Sequence, residues 1–187
     1  MHHLPNLITV LRIVLVVPLC WLIGVGRYEG ALAVAAVAGL SDAVDGWMAK
    51  RFGWQSWVGG MLDPLADKLL LTAAFIALAL AGVLPAWLTV LVVTRDLVIV
   101  GGAFAYHRLI GRFSAAPSAL SKGNTTIQIV FVLTELLRMA GWIALSASVQ
   151  AMMIAIVAAF TFASGAHYVV VWSRRARRAA AARKEGR

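Results

Sequence analysis

Four aspartates, Asp42, Asp45, Asp63 and Asp67, lie close together in an otherwise strongly apolar chain. Asp42 and Asp45 are three apart, and Asp63 and Asp67 are four apart. On helices, each pair shares one face. A carboxylate at the centre of a membrane helix costs about 2.5–3.5 kcal/mol, and four near one another repel as well. Divalent cations relieve both problems. No His or Cys occurs between Ser41 and Lys68, and an all-oxygen donor set favours Mg²⁺ or Mn²⁺ over Zn²⁺. Two ions suit four carboxylates, and they suit phosphoryl-type chemistry, in which they clamp the attacking and leaving oxygens. Gly46, Gly59 and Gly60 leave room for a ligand, and Lys50 and Arg51 bring cations for phosphate oxygens. Two other readings stand beside this one. The aspartates are caps of a helix–loop–helix, or they line the path of a cation transporter.

The elements that must position these residues are read from hydropathy. Of the 187 residues, 61% are hydrophobic and only 13% are charged, against about a quarter charged in a soluble domain. The fold class expected is an all-α integral membrane protein with six transmembrane helices and a short N-terminal interfacial helix. The spans are expected at about 5–26, 31–51, 57–81, 86–108, 122–140 and 142–172. Residues 1–172 form one membrane domain, and 173–187 form a basic cytoplasmic tail. Pro5 and Asn6 ahead of the apolar run argue against a cleavable signal. The lone Cys20 excludes an intrachain disulfide and a thiolate metal cluster.

Cations assign the sides. Six spans place both termini together, on the side that carries Arg12, Lys50, Arg51, Arg108, Arg112 and Lys122. That side is expected to be cytoplasmic, in a bacterial inner membrane or its equivalent. The short connection at 53–56 makes the second and third spans antiparallel neighbours, with their acidic faces meeting at the cytoplasmic end. The net charge of +9 owes much to Arg174, Arg175, Arg177, Arg178, Arg183, Lys184 and Arg187. These residues read as a positive-inside anchor, or as an attraction to anionic headgroups. Nucleic acid is not an expected partner, because no aromatic residues interleave with the run. Glu135 and Arg138 are expected to pair, His167 to be a hydrogen-bonded bundle residue, and the tryptophans to sit near span ends.

The order Asp42-x2-Asp45-Gly46-x2-Ala49-Lys50-x8-Gly59-x3-Asp63-x3-Asp67 resembles the signature of the CDP-alcohol phosphotransferase family. Lys50 stands where that family carries Arg, so the charge is kept without the bidentate fork. Pro5-Asn6-Leu7-Ile8-Thr9 with Arg12, Leu62-Asp63-Pro64-Leu65-Ala66-Asp67-Lys68, and Arg95-Asp96 are similar to its phospholipid-making branch. The resemblance implies a six-helix bundle, a homodimer, and an active site open to cytoplasm and lipid. It implies metal ligation by Asp42, Asp45, Asp63 and Asp67, with Asp67 also the general base. Gly46, Lys50, Gly59 and Asn6 become the positions that hold the CDP moiety. The donor implied is CDP-diacylglycerol, and the leaving group is CMP.

Two acceptors fit this resemblance. Phosphatidylglycerol is the acceptor in the cardiolipin-synthase branch, and glycerol 3-phosphate in the phosphatidylglycerophosphate-synthase branch. Both carry phosphate, so Arg95, Arg108, Arg112 and Lys122 are the acceptor-binding candidates. The run Ser121-Lys122-Gly123-Asn124-Thr125-Thr126-Ile127-Gln128 looks more like the first branch. Asn124 stands where the second tends to have lysine, and one cation fewer suits a phosphodiester. Phosphatidylglycerol is therefore the expected acceptor, and glycerol 3-phosphate the alternative.

Overall fold

A computed structural model describes the backbone of residues 4–52, 57–110 and 119–185, and the side chains of 10–41, 68–102 and 120–173. Six helices and no strand occur among the described residues: α1 (Leu4–Gly24), α2 (Tyr28–Phe52), α3 (Trp57–Leu80), α4 (Ala86–Ile110), α5 (Ala119–Met139) and α6 (Ala147–Glu185). The all-helical expectation holds. α1 is one continuous helix that includes Pro18.

Three helices end in the same way. Gly26, Gly82 and Gly141 follow α1, α3 and α5 with φ of 74°, 73° and 79°. Side chains disfavour that region, and glycine does not. Each glycine N–H donates to the carbonyl three residues back, at Ile23, Ala79 and Arg138. Each following N–H, of Arg27, Val83 and Trp142, donates to the carbonyl five back, at Leu22, Leu78 and Leu137. This is the Schellman arrangement, which satisfies carbonyls that a helix end otherwise leaves bare. After the third such turn the chain stays irregular as far as Ser146, so α6 begins at Ala147 rather than near 142.

The chain divides into two compact units, Met1–Thr89 with Ile129–Ala147, and Val90–Gln128 with Ser148–Arg187. In the first, α1 packs against both α2 and α3. Gly30 permits close approach to α1, since a Cβ there would meet Leu22 at 3.2 Å. Leu19, Ile23, Phe75, Leu78, Leu88, Phe131 and Leu136 are buried, and the Phe75 and Phe131 rings stack with centroids 6.0 Å apart. The Thr89 hydroxyl donates to the Phe75 carbonyl at 3.2 Å. Arg138 donates from Nε and Nη2 to Glu135 Oε2, at 2.9 and 2.7 Å, as the three-residue spacing predicts.

In the second unit, Trp172 of α6 lies against Gly102 of α4, where a Cβ would come within 3.0 Å of the indole nitrogen. His167 differs from expectation. It is exposed, and its ring meets Tyr168 edge-on at 6.2 Å rather than facing a bundle interior. Trp21, Trp87 and Trp142 are exposed near helix ends.

Among the described residues, Ala147–Ser173 of α6 is the one segment both long and apolar enough to cross a membrane, with 27 residues and an 18-residue stretch of mean hydropathy 1.9. Shorter apolar stretches occupy Val10–Gly24, Tyr28–Ser41 and Lys68–Leu80. The last two adjoin the aspartate-bearing segments of α2 and α3.

Candidate active site

The aspartate positions fall on two uninterrupted helices. Asp42, Asp45, Gly46 and Lys50 lie in α2, and Gly59, Asp63 and Asp67 lie in α3. The three- and four-residue spacings therefore place each acidic pair along one side of its helix. Asn6 lies in α1, which packs against both. The side chains of all these residues lie outside the described ones, as does the side chain of Arg108 in α4, and Arg112 lies outside them entirely. The donor set suits a hard divalent ion: four carboxylates, with no imidazole or thiolate in the segment. Two clefts lie in the first unit, of about 350 and 410 Å³; among the described residues, one is lined by Gly26 to Gly30 with Met139 and Ala140, the other by Cys20, Gly24, Ala73, Ile76, Ala77, Leu80 and Ala81.

Arg95 and Lys122 are described in full, and their surroundings differ. Arg95 is 3% exposed. Its Nε and Nη2 donate to Ser164 Oγ of α6 at 3.2 and 2.8 Å. Nη2 also donates to Ser121 Oγ of α5 at 2.6 Å, and Nη1 donates to Asp96 Oδ1 at 2.6 Å. The planar guanidinium thus ties α4 to α5 and α6, a geometry lysine cannot copy. Lys122, the residue after Ser121, is exposed.

A second chain of bonds runs beside this one. Gln128 Nε2 donates to Thr161 Oγ1 at 3.0 Å, and Thr161 Oγ1 donates to Asn124 Oδ1 at 3.1 Å. Ser121, Asn124 and Gln128 recur at three and four residues on α5, and Thr161 and Ser164 at three on α6, so each set shares a face. All five are buried. Asn124 Nδ2 is buried and has no hydrogen-bond partner among the described residues.

The family model for CDP-alcohol phosphatidyltransferase matches residues 2–163, a stretch that contains both aspartate helices and, of the polar seam, Ser121, Asn124, Gln128 and Thr161. The chain belongs to this family. It is 33% identical over 149 residues to cardiolipin synthase (CMP-forming) of Rattus norvegicus, covering 71% of this chain and 49% of that protein. It is 35% identical over 153 residues to the chloroplastic CDP-diacylglycerol–glycerol-3-phosphate 3-phosphatidyltransferase 1 of Oryza sativa, covering 73% and 46%. It is 32% identical over 155 residues to cardiolipin synthase (CMP-forming) of Streptomyces coelicolor, covering 78% and 71%. The chain spans about half the length of the rat and rice relatives. The family is one of transferases, which leaves the transporter reading without support.

In this member of the family, reasoning from motifs missed two residues of the seam, Thr161 and Ser164. They sit in the long apolar segment of α6, where a lone hydroxyl carries no motif. The available signal was the polar face of α5, which needs partners if it is buried.

Proposed function

We propose that this chain is a CDP-diacylglycerol-dependent phosphatidyltransferase of anionic phospholipid synthesis. It is multi-pass, with six spans, and both termini and the active site face the cytoplasm. The carrying observation is the four-aspartate order on α2 and α3, inside the stretch that matches the family. Asp42, Asp45, Asp63 and Asp67 would hold two divalent ions, Mg²⁺ or Mn²⁺. When bound, such ions neutralise diphosphate charge and make an acceptor hydroxyl easier to deprotonate. Asp67 takes the hydroxyl proton. The acceptor oxygen bonds to the phosphorus that bears diacylglycerol, the bond to the bridging oxygen breaks, and CMP leaves with that electron pair. Gly46, Lys50, Gly59 and Asn6 hold the CDP moiety.

The acceptor in this proposal is phosphatidylglycerol, making the chain a cardiolipin synthase that works as a homodimer. Arg95, Lys122, Arg108 and Arg112 supply positive charge for the acceptor phosphate, and Ser121 and Ser164 hold the guanidinium of Arg95 in place. Asn124 supports this choice as a neutral buried donor. Glycerol 3-phosphate is the second reading, favoured by the rice relative's name. Purified protein given CDP-diacylglycerol and metal is offered phosphatidylglycerol, glycerol 3-phosphate, inositol phosphate or serine, and the product is identified by mass. Cardiolipin and CMP are expected with phosphatidylglycerol. Phosphatidylglycerophosphate instead would move the chain to the second reading. No CMP with any acceptor would overturn both.

A further inference from the structure

α6 does not stop where its apolar stretch stops. It runs unbroken from Ala147 to Glu185, 39 residues or about 58 Å. Ala147–Ser173, about 40 Å of it, exceeds the roughly 30 Å hydrocarbon core of a bilayer. The continuation carries Arg174, Arg175, Arg177, Arg178, Arg183 and Lys184 against the single Glu185. Its other residues are alanines, Ala176 and Ala179 to Ala182, and alanine and arginine are among the strongest helix formers. The helix therefore needs no packing partner to persist.

That continuity fixes where the charge lies. Arg174, Arg175, Arg177 and Arg178 fall within about 8 Å of helix axis beyond the apolar segment, and Lys184 about 17 Å beyond it. With the apolar segment spanning the bilayer, as in the reading proposed above, the first four stand within about one Debye length of the headgroup plane at physiological salt. Positions 174, 177, 178 and 184 also follow helical spacing, so they lie along one side of the helix.

We propose that the basic end of α6 is a docking surface for anionic phospholipid headgroups, and that it keeps the lipid around the protein enriched in negative charge. Juxtamembrane cations act in this way when held near the surface. The surface is attached without a break to the one described segment long and apolar enough to cross a membrane, which sets it at headgroup height. It has no aromatic residues for stacking bases, so nucleic acid is the poorer fit. On the reading proposed above, the donor lipid carries a diphosphate and belongs to the class of lipid enriched.

The test uses the full chain in nanodiscs of phosphatidylcholine with a minor fraction of phosphatidylserine, an anionic lipid that is not an expected acceptor. Spin-labelled versions of the two lipids report relative association with the protein. A several-fold preference for phosphatidylserine is expected at about 0.05 M salt, fading at about 0.5 M. Replacing Arg174, Arg175, Arg177, Arg178, Arg183 and Lys184 together by glutamine should abolish that preference. Exchanging the five arginines for lysine should retain it, since charge at the surface is what matters. Equal preference in the native and glutamine proteins would overturn the proposal. So would retention of an oligonucleotide without any lipid preference. The readout is independent of turnover, so a protein that releases no CMP yet shows the preference would refute the proposed reaction and leave this surface standing.

Discussion

The two units have different interiors. Among the described residues, the first buries aliphatic side chains and the Phe75–Phe131 stack, with Arg12, Thr89 and Glu135 as its buried polar members. The second buries Arg95, Ser121, Asn124, Gln128, Thr161 and Ser164, with Val92 and Val157 as its apolar members. In lipid, apolar contact alone discriminates weakly between helix arrangements, because the tails are as apolar as leucine. Shape must then specify the first interior, through rings, close glycine contacts and Schellman turns. Hydrogen-bond partners specify the second. The assigned roles divide along the same line. Every residue proposed for metal or CDP falls in the first unit, and every residue proposed for the acceptor falls in the second.

The sharpest way to break that division is chemical. Asp67→Asn in the first unit should lower CMP release by about 10²–10⁴-fold, the usual contribution of a general base. The same variant should keep its thermal unfolding midpoint and its acceptor binding. Wild-type turnover in it would remove Asp67 as the base. Next in size is Arg95→Ala in the second unit. It deprives Asp96 and two buried hydroxyls of their shared donor, at a cost of about 3–5 kcal/mol. Unfolding in mild detergent should shift accordingly. Arg95→Lys should recover only part of the loss, since one ammonium cannot reach Ser121, Ser164 and Asp96 in the same fork. Full recovery by lysine would mean that charge alone matters there.

The first interior was the more legible in sequence. Gly26, Gly82 and Gly141 stand where a helix end requires a residue tolerant of positive φ, a signal that glycine carries in sequence. The acidic spacings translated directly into helix faces. Glu135 and Arg138 pair for the same reason. The second interior was less legible because its partners are dispersed. Ser121, Asn124 and Gln128 lay in a recognised segment, whereas Thr161 and Ser164 looked like incidental hydroxyls in an apolar helix. Arg95 was expected as an acceptor-binding candidate; what the sequence did not show is that Ser121, Ser164 and Asp96 hold its guanidinium. The sixth span was expected to end at about 172, and the apolar segment ends at Ser173, but helix propensity carries the helix on to Glu185. His167 could not be placed without the register of α6.

Smaller effects sharpen the comparison further. Gly141→Ala puts a side chain at φ 79°, which costs roughly 1–2 kcal/mol, and it touches the first unit alone. It should lower the unfolding midpoint while leaving the acceptor KM unchanged.

Thr161→Val is the finest probe, because it preserves shape and removes one hydroxyl. In the native protein that hydroxyl accepts from Gln128 and donates to Asn124, so it sets which end of the Asn124 carboxamide is occupied. Without it, the carbonyl of Asn124 loses its donor, and the side chain is free to turn its oxygen toward the place its amide now fills. Interhelical hydrogen bonds inside membrane proteins are worth only about 0.6 kcal/mol on average, so stability should barely move. If Asn124 presents its amide to the acceptor, KM for phosphatidylglycerol should rise severalfold while KM for CDP-diacylglycerol stays constant. Thr161→Ser, which restores the hydroxyl, should return the acceptor KM to its native value. An unchanged acceptor KM in the valine variant would show that the seam holds helices together without choosing the acceptor.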